Sequence, residues 1–273
     1  MKENSSLPFQ ITGIGGVFLG VNNSKEVRQW YHEKLGFIVD QYGAIFESKA
    51  YHNPSDCVTL QWSVVDKPSF FAPSSNPFTI NYRVSDLEAL WRHLQGKVKI
   101  LDTIEVYSYG KFLHIMDADN NKIELWERID HVFEAMYAGK MNRQISIGGI
   151  FFKSPDPSRL KTWYQQHLGM HLDTHGIHFK TRKAADSDYV NLLQWSVFDH
   201  NSTYFDPSDA PFMINYNVPD LDQLIETLRA CDVLFLDDKI QTEYGDFIHI
   251  MGPENHKIEL WQQAQLKESI NYK

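Results

Sequence analysis

Between Gly16 and Val21 the chain alternates, with Val17, Leu19 and Val21 on one parity and Gly16, Phe18 and Gly20 on the other. That two-residue period marks a strand with one face on a core. The period then lengthens. In NNSKEVRQWYHEKLG (22–36), Val27, Trp30, Tyr31 and Leu35 recur at helical spacing, Asn and Ser offer N-caps, and Gly36 supplies the stop. Trp30 and Tyr31 are consecutive and cannot both point inward, so one belongs on the helix flank. Strand-like runs follow near 37–40, 43–47 and 57–65, with Gly43 at a turn. After a loop over 66–77 the order restarts, with a strand over 78–84 and a helix over 86–95 opened by a capping box from Ser85 to Glu88. Three more strands close on KIELWE. The reading is α+β, with two βαβββ units in the first half.

The second half repeats the first. GIGGVFL (13–19) returns as SIGGIFF (146–152), and LQWSVVD (60–66) as LQWSVFD (193–199), at a shift of 133. NPFTINYRVSDLEAL (76–90) returns as APFMINYNVPDLDQL (210–224) at 134, and His114 as His249 at 135. NKIELWE (121–127) becomes HKIELWQ (256–262). A register that drifts by two residues over a whole half means two copies of one fold with small loop insertions. In the second copy Pro157 suits the first turn of the helix in SPDPSRLKTWYQQHLG. The expected layout is a copy over 1–127, a partly helical linker over 128–145, and a copy over 146–273 whose tail, 262–273, resembles the linker.

Composition narrows the partner. With 273 residues, 42% hydrophobic and 14% aromatic, the chain has material for two packed domains. A net charge of −9 without a Lys/Arg cluster disfavours nucleic acid and anionic membranes and leaves a small organic molecule as the expected partner. The opening MKENSSLPFQ lacks a signal-peptide core, and Cys57 and Cys231 occupy non-matching positions, so a reduced, cytoplasmic setting is expected. Internal duplication already supplies a pairing of units, compatible with a monomer or a homodimer. Tyr109 and Tyr244 each precede a glycine and read as turn residues.

Four βαβββ units, with NKIEL closing the second and HKIEL the fourth, resemble the vicinal oxygen chelate superfamily over residues 11–127 and 146–262. That group takes in glyoxalase, fosfomycin-resistance, bleomycin-resistance and extradiol dioxygenase proteins. The resemblance implies, in each copy, a curved, mostly antiparallel sheet around a cavity, with a divalent metal on the first and last strands. Its ligand positions fall at Gly16 and Gly149, Gln61 and Gln194, Thr79 and Met213, and Glu124 and Glu259. Glycine has no donor atom and Met suits a hard ion poorly, so no cofactor is expected. A divalent metal is kept as the alternative, with Glu124 and Glu259 its candidate ligands.

Strand parity sets Glu124 and Trp126 opposite to Ile123 and Leu125, and His114, ten residues before Glu124, should face the same cavity. His249 and Glu259 keep the interval. The expected lining is Phe18, Gln61, Thr79, Asn81, His114, Glu124 and Trp126, then Phe151, Gln194, Asn215, His249, Glu259 and Trp261. Each His either satisfies its Glu and Gln neighbours in a buried polar network or contacts a ligand with acid/base capacity. His114, Glu124, His249 and Glu259 are therefore the catalytic candidates. Trp126 and Trp261 read as cavity wall. These readings favour a small-molecule binding protein of the glyoxalase/bleomycin-resistance type. The rivals are a metal-dependent or His/Glu-based lyase, isomerase or dioxygenase, and a scaffold whose pockets are filled by side chains. The resemblance to duplicated extradiol enzymes points to the second copy as the working one.

Overall fold

The computed structural model describes residues 7–265. The first copy runs β1 (Ile11–Gly20), α1 (Ser24–Leu35), β2 (Ala44–Ala50), β3 (Cys57–Val65), β4 (Phe78–Val84), α2 (Leu87–Leu94), β5 (Lys99–Ile100), β6 (Glu105–Tyr107), β7 (Gly110–Met116) and β8 (Lys122–Arg128). Next come α3 (Asp130–Tyr137) and β9 (Met141–Asn142). The second copy has β10 (Ser146–Ser154), α4 (Pro157–Leu168), β11 (Ile177–Lys183), β12 (Val190–Asp199), β13 (Phe212–Asn217), α5 (Leu221–Arg229), β14 (Ile240–Thr242), β15 (Gly245–Met251) and β16 (Lys257–Gln263). The tail expected to resemble the linker lies, beyond Gln265, outside the described residues.

Most local signals act as the sequence implies. Asn23 caps α1 by accepting from Glu26 N, Gly36 ends it in the left-handed region at φ 70°, and Pro157 opens α4. Tyr31 and Tyr164 are buried while Trp30 and Trp163 are half-buried on the flank. Two expectations are corrected. The cap of α2 is Asp86, which accepts from Ala89 N at 2.8 Å, because Ser85 Oγ is taken by Gln10 N and Glu88 turns to Lys111. The run 37–40 is not a strand and contributes one bridge, Val39 to Ala44. Its backbone is held by side chains instead. Asn142 receives Ile38 N at 2.8 Å and donates to Ile38 O at 3.0 Å, and Asp40 Oδ1 accepts from Tyr42 N and Gly43 N.

Among the described residues the strands form one sheet in the order β14-β15-β16-β13-β10-β12-β11-β2-β3-β1-β4-β8-β7-β5, with β6 on β7 and β9 on β2. Antiparallel pairing of β2 with β11 joins the copies. One apolar core spans both, with Tyr31 against Tyr216 at 5.6 Å and Phe78 against Phe152 at 5.4 Å. Buried hydroxyls cross it as a chain: Trp195 Nε1 donates to Tyr82, Tyr82 to Tyr164, and Tyr164 to Asp117. Val17, Leu19, Ile123 and Leu125 belong to this core, which leaves the opposite parity of the same strands free for the cavity.

Candidate functional site

Strand register gathers the predicted residues into one transverse row. Gln61 pairs with Gly16, Gly16 with Asn81, Asn81 with Glu124, and Glu124 with His114. The second copy repeats it through Gln194, Gly149, Asn215, Glu259 and His249. Residues paired across a sheet point to the same face. A bulge makes the row possible: Ile14 pairs with Tyr82 and Gly16 with Asn81, so Gly15 is an extra residue in β1. A Cβ on Gly15 would lie 2.1 Å from Asn81 Oδ1, and one on Gly148 would lie 2.3 Å from Asn215 Oδ1. The repeated IGG thus gives room for an asparagine whose amide is turned toward the glutamate.

In the first copy Asn81 Nδ2 donates to Glu124 Oε1 at 2.5 Å, and His114 Nε2 meets Oε2 at 3.0 Å. Behind the ring, Asp102 Oδ2 holds His114 Nδ1 at 2.5 Å while Asp102 Oδ1 accepts from His114 N. Burial opposes protonation of His114, but Glu124 and Asp102 outweigh it and raise the imidazole above its ordinary value. His249 is raised in the same way between Glu259 and Asp237. The histidines therefore bond Glu and Asp, not the Glu and Gln of the sequence expectation, and Gln61 instead donates to Ser63 Oγ.

The copies differ in access. Over Glu124 lies a cavity of about 700 Å³ bordered by Phe18, Gln61, Asn81, Glu124 and Trp126 from the expected lining. Tyr42, Phe70, Tyr109, Phe112 and, from α3, Phe133, Met136 and Tyr137 complete an aromatic wall, with Arg28, Asp66 and Lys67 among the other residues around it. Trp126 stacks on Phe112 at 5.5 Å and meets Phe133 at 5.1 Å, as a wall residue would. Thr79 is buried at 1% exposure opposite Phe18, and His114 stands one strand outward behind Glu124. The linker segment is thus part of the first cavity, and Tyr109 sits both at a turn and on its wall.

In the second copy Phe151, Phe205 and Met213 form a buried cluster packed by Phe198, and Phe198 stacks on Tyr204 at 5.2 Å. The Tyr204 hydroxyl donates to Glu259 Oε2, the oxygen that also meets His249 Nε2. Asn215 donates to Oε1 at 2.5 Å. The side chain of Glu259 is 3% exposed against 14% for Glu124. Trp261 packs on Phe247, and Gln194 donates to Ser196. The resemblance points to the second copy as the working one, yet there aromatic side chains fill the space over the carboxylate.

Sequence reasoning missed Asp102, Asp237 and Tyr204. The first two were detectable: each lies twelve residues before its histidine in matching places of the repeat. Tyr204 falls opposite Phe70 only once a one-residue insertion in the loop is allowed.

The donor set does not fit the divalent site that the resemblance implies. Gly16 brings no donor, Thr79 is buried against Phe18, the Gln61 amide is engaged with Ser63, and both Glu124 oxygens already accept hydrogen bonds. Among the described residues no group of three His, Cys, Asp or Glu converges on a point that could hold an ion. No described helix is long and apolar enough to cross a membrane.

Solved structures with this architecture include a catechol 2,3-dioxygenase (TM-score 0.59, 13% identity, covering 96% of this chain and 91% of that one). A Mn(II)-bound glyoxalase from Novosphingobium aromaticivorans gives TM-score 0.61 at 12% identity over 97% of this chain and 87% of that one. A 4-hydroxymandelate synthase variant from Streptomyces coelicolor gives 0.58 at 12% identity over 94% of each chain. No protein-family model matches the chain, and no curated protein matches it by sequence. The chain has the vicinal oxygen chelate fold, duplicated along its length.

Proposed function

We propose that the first copy binds a small organic molecule in the cavity over Glu124 without the help of a metal ion. One observation carries this reading: a carboxylate oriented by Asn81 and His114 keeps part of its surface open to an aromatic cavity of about 700 Å³. A few oriented polar groups on an apolar wall are what small-ligand recognition needs. Catechol appears in the name of one structural neighbour, which supports a small organic ligand, whereas the Mn(II) of another has no matching donor set here.

The test is a thermal-shift and tryptophan-fluorescence screen of small organic molecules in EDTA, repeated with Mn(II). A ligand at a hundredfold excess over its Kd stabilises the native state by about 2.7 kcal/mol, a shift of several degrees. Hits should survive EDTA and disappear in Glu124→Ala. Hits that require Mn(II), or that persist in both Glu124→Ala and Tyr137→Ala, would overturn the proposal.

The Asp102–His114–Glu124 chain also favours a second reading, in which Glu124 takes a proton from carbon next to a carbonyl of the bound molecule. Deuterium exchange into a carbonyl-bearing hit, lost in Glu124→Gln, separates catalysis from binding.

A further inference from the structure

The two copies hold the same recognition apparatus in two states, and the second shows what the first is shaped to receive. Position for position, Asn81 and Asn215, His114 and His249, Asp102 and Asp237 surround their glutamates with the same bonds. Lys122 and Lys257 fix the preceding loops by donating to Phe70 O and Tyr204 O, both at 2.8 Å. Each lysine also lies over the ring it anchors, at 5.2 and 5.4 Å. Phe70 is 5.3 Å from Phe18, and Tyr204 is 6.4 Å from Phe151, the residue matching Phe18. Phe70 and Tyr204 therefore occupy equivalent places, and the main chemical difference at the carboxylate is one hydroxyl. In the second copy that hydroxyl gives the Glu259 carboxylate a third donor, placed on Oε2 beside His249, and the carboxylate is sealed. In the first the ring has nothing to donate, and Glu124 lines the open cavity.

We infer that the second copy is self-liganded by Tyr204, and that the molecule bound by the first copy presents a neutral hydroxyl to Glu124 Oε2. This rests on the proposed binding role of the first cavity and specifies the ligand class. Charge supports a neutral group. A carboxylate ligand would face Glu124 directly, and the group that occupies the matching place in the second copy, the Tyr204 phenol, is neutral. A hydroxyl adds a charge-assisted hydrogen bond without changing the charge of the site. Position 70/204 is then the residue that sets which copy is open.

The test uses the full chain and four molecules of one shape: p-cresol (the tyrosine side chain as a free molecule), toluene, 4-methylbenzoate and 4-methylbenzylamine. Binding is followed by NMR at the Trp126 indole, assigned with Trp126→Phe. Wild type should bind p-cresol at least tenfold more tightly than the other three. Phe70→Tyr should raise the melting temperature and weaken p-cresol at least tenfold, and Tyr204→Phe should lower the melting temperature while leaving p-cresol binding in place. Toluene equal to p-cresol, or unchanged p-cresol binding in a folded Phe70→Tyr protein, would overturn the hydroxyl inference. If 4-methylbenzoate or 4-methylbenzylamine binds best at Trp126, the cavity binds ligands but the hydroxyl inference fails. If none of the four perturbs Trp126, the hydroxyl inference fails, and the broader EDTA screen decides the binding reading separately.

Discussion

Replacing Gly15 by Ala tests whether the bulge exists to make room for Asn81. The added Cβ would stand 2.1 Å from Asn81 Oδ1 and 2.8 Å from Trp126 Cε3, so both side chains have to give way, the asparagine furthest. Gly15 is not among the residues with positive φ, so the backbone itself accepts alanine and the cost is steric. Overpacking costs about 1–3 kcal/mol. If the asparagine yields, its 2.5 Å bond to Glu124 is lost as well, about 1.5–3 kcal/mol for a bond to a charged group. Gly15→Ala should therefore cost about 3–5 kcal/mol and Asn81→Ala about 2–3 kcal/mol. The double variant should cost about 1–3 kcal/mol more than Asn81→Ala, because the methyl group then meets Trp126 Cε3 but no longer displaces the amide from Glu124. Urea denaturation of the four proteins gives the coupling energy, expected at about 1.5–3 kcal/mol in favour of the double variant. Additivity within about 0.5 kcal/mol would refute the reasoning, and the matched pair Gly148 and Asn215 supplies an internal replicate.

Three further outcomes follow from the same geometry. His114 and His249 are raised, so their contribution to stability is complete below the unfolded value near 6.5 and is lost as pH rises through the folded values. NMR titration of the ring protons should give midpoints above about 6.5, and lower midpoints would contradict the carboxylate pairing. Burial pushes Asp117 up to about 6, so the wild type should lose up to about 3 kcal/mol of stability between roughly pH 4 and pH 6. Asp117→Asn should flatten that part of the profile, and an unchanged profile would discount the burial effect. Glu259→Ala leaves His249, Asn215 and Tyr204 without their acceptor in a buried place and should cost about 3–5 kcal/mol. Glu124→Ala should cost less by thermal melting, because its surroundings reach solvent, and equal losses would deny the difference in access.

What the sequence made legible is local. The two-residue period separates Leu125 from Glu124, and the repeat pairs His114 with His249, because both are properties of neighbouring positions or of one chain aligned with itself. The transverse row is not local. It depends on β1 lying between β3 and β4 and on a bulge that shifts their register at Gly15, which no period in the chain records. Asp102 precedes the strand of the histidine it holds and has no periodic signature, so only the twelve-residue interval shared with Asp237 marks it. The aromatic wall is harder still, since Phe133, Met136 and Tyr137 come from a segment that reads as linker. The accessible copy could not be chosen by listing donors, because apart from Thr79, replaced by Met213, both copies carry the same ones at the expected positions. Val65 stands where the second copy has Phe198, and Phe70 where it has Tyr204. Those exchanges add bulk and one hydroxyl at the carboxylate without disturbing the residues that orient it. Duplication makes such a change tolerable: a site filled by its own side chain keeps its buried carboxylate satisfied, while the carboxylate of the other copy still borders an open cavity.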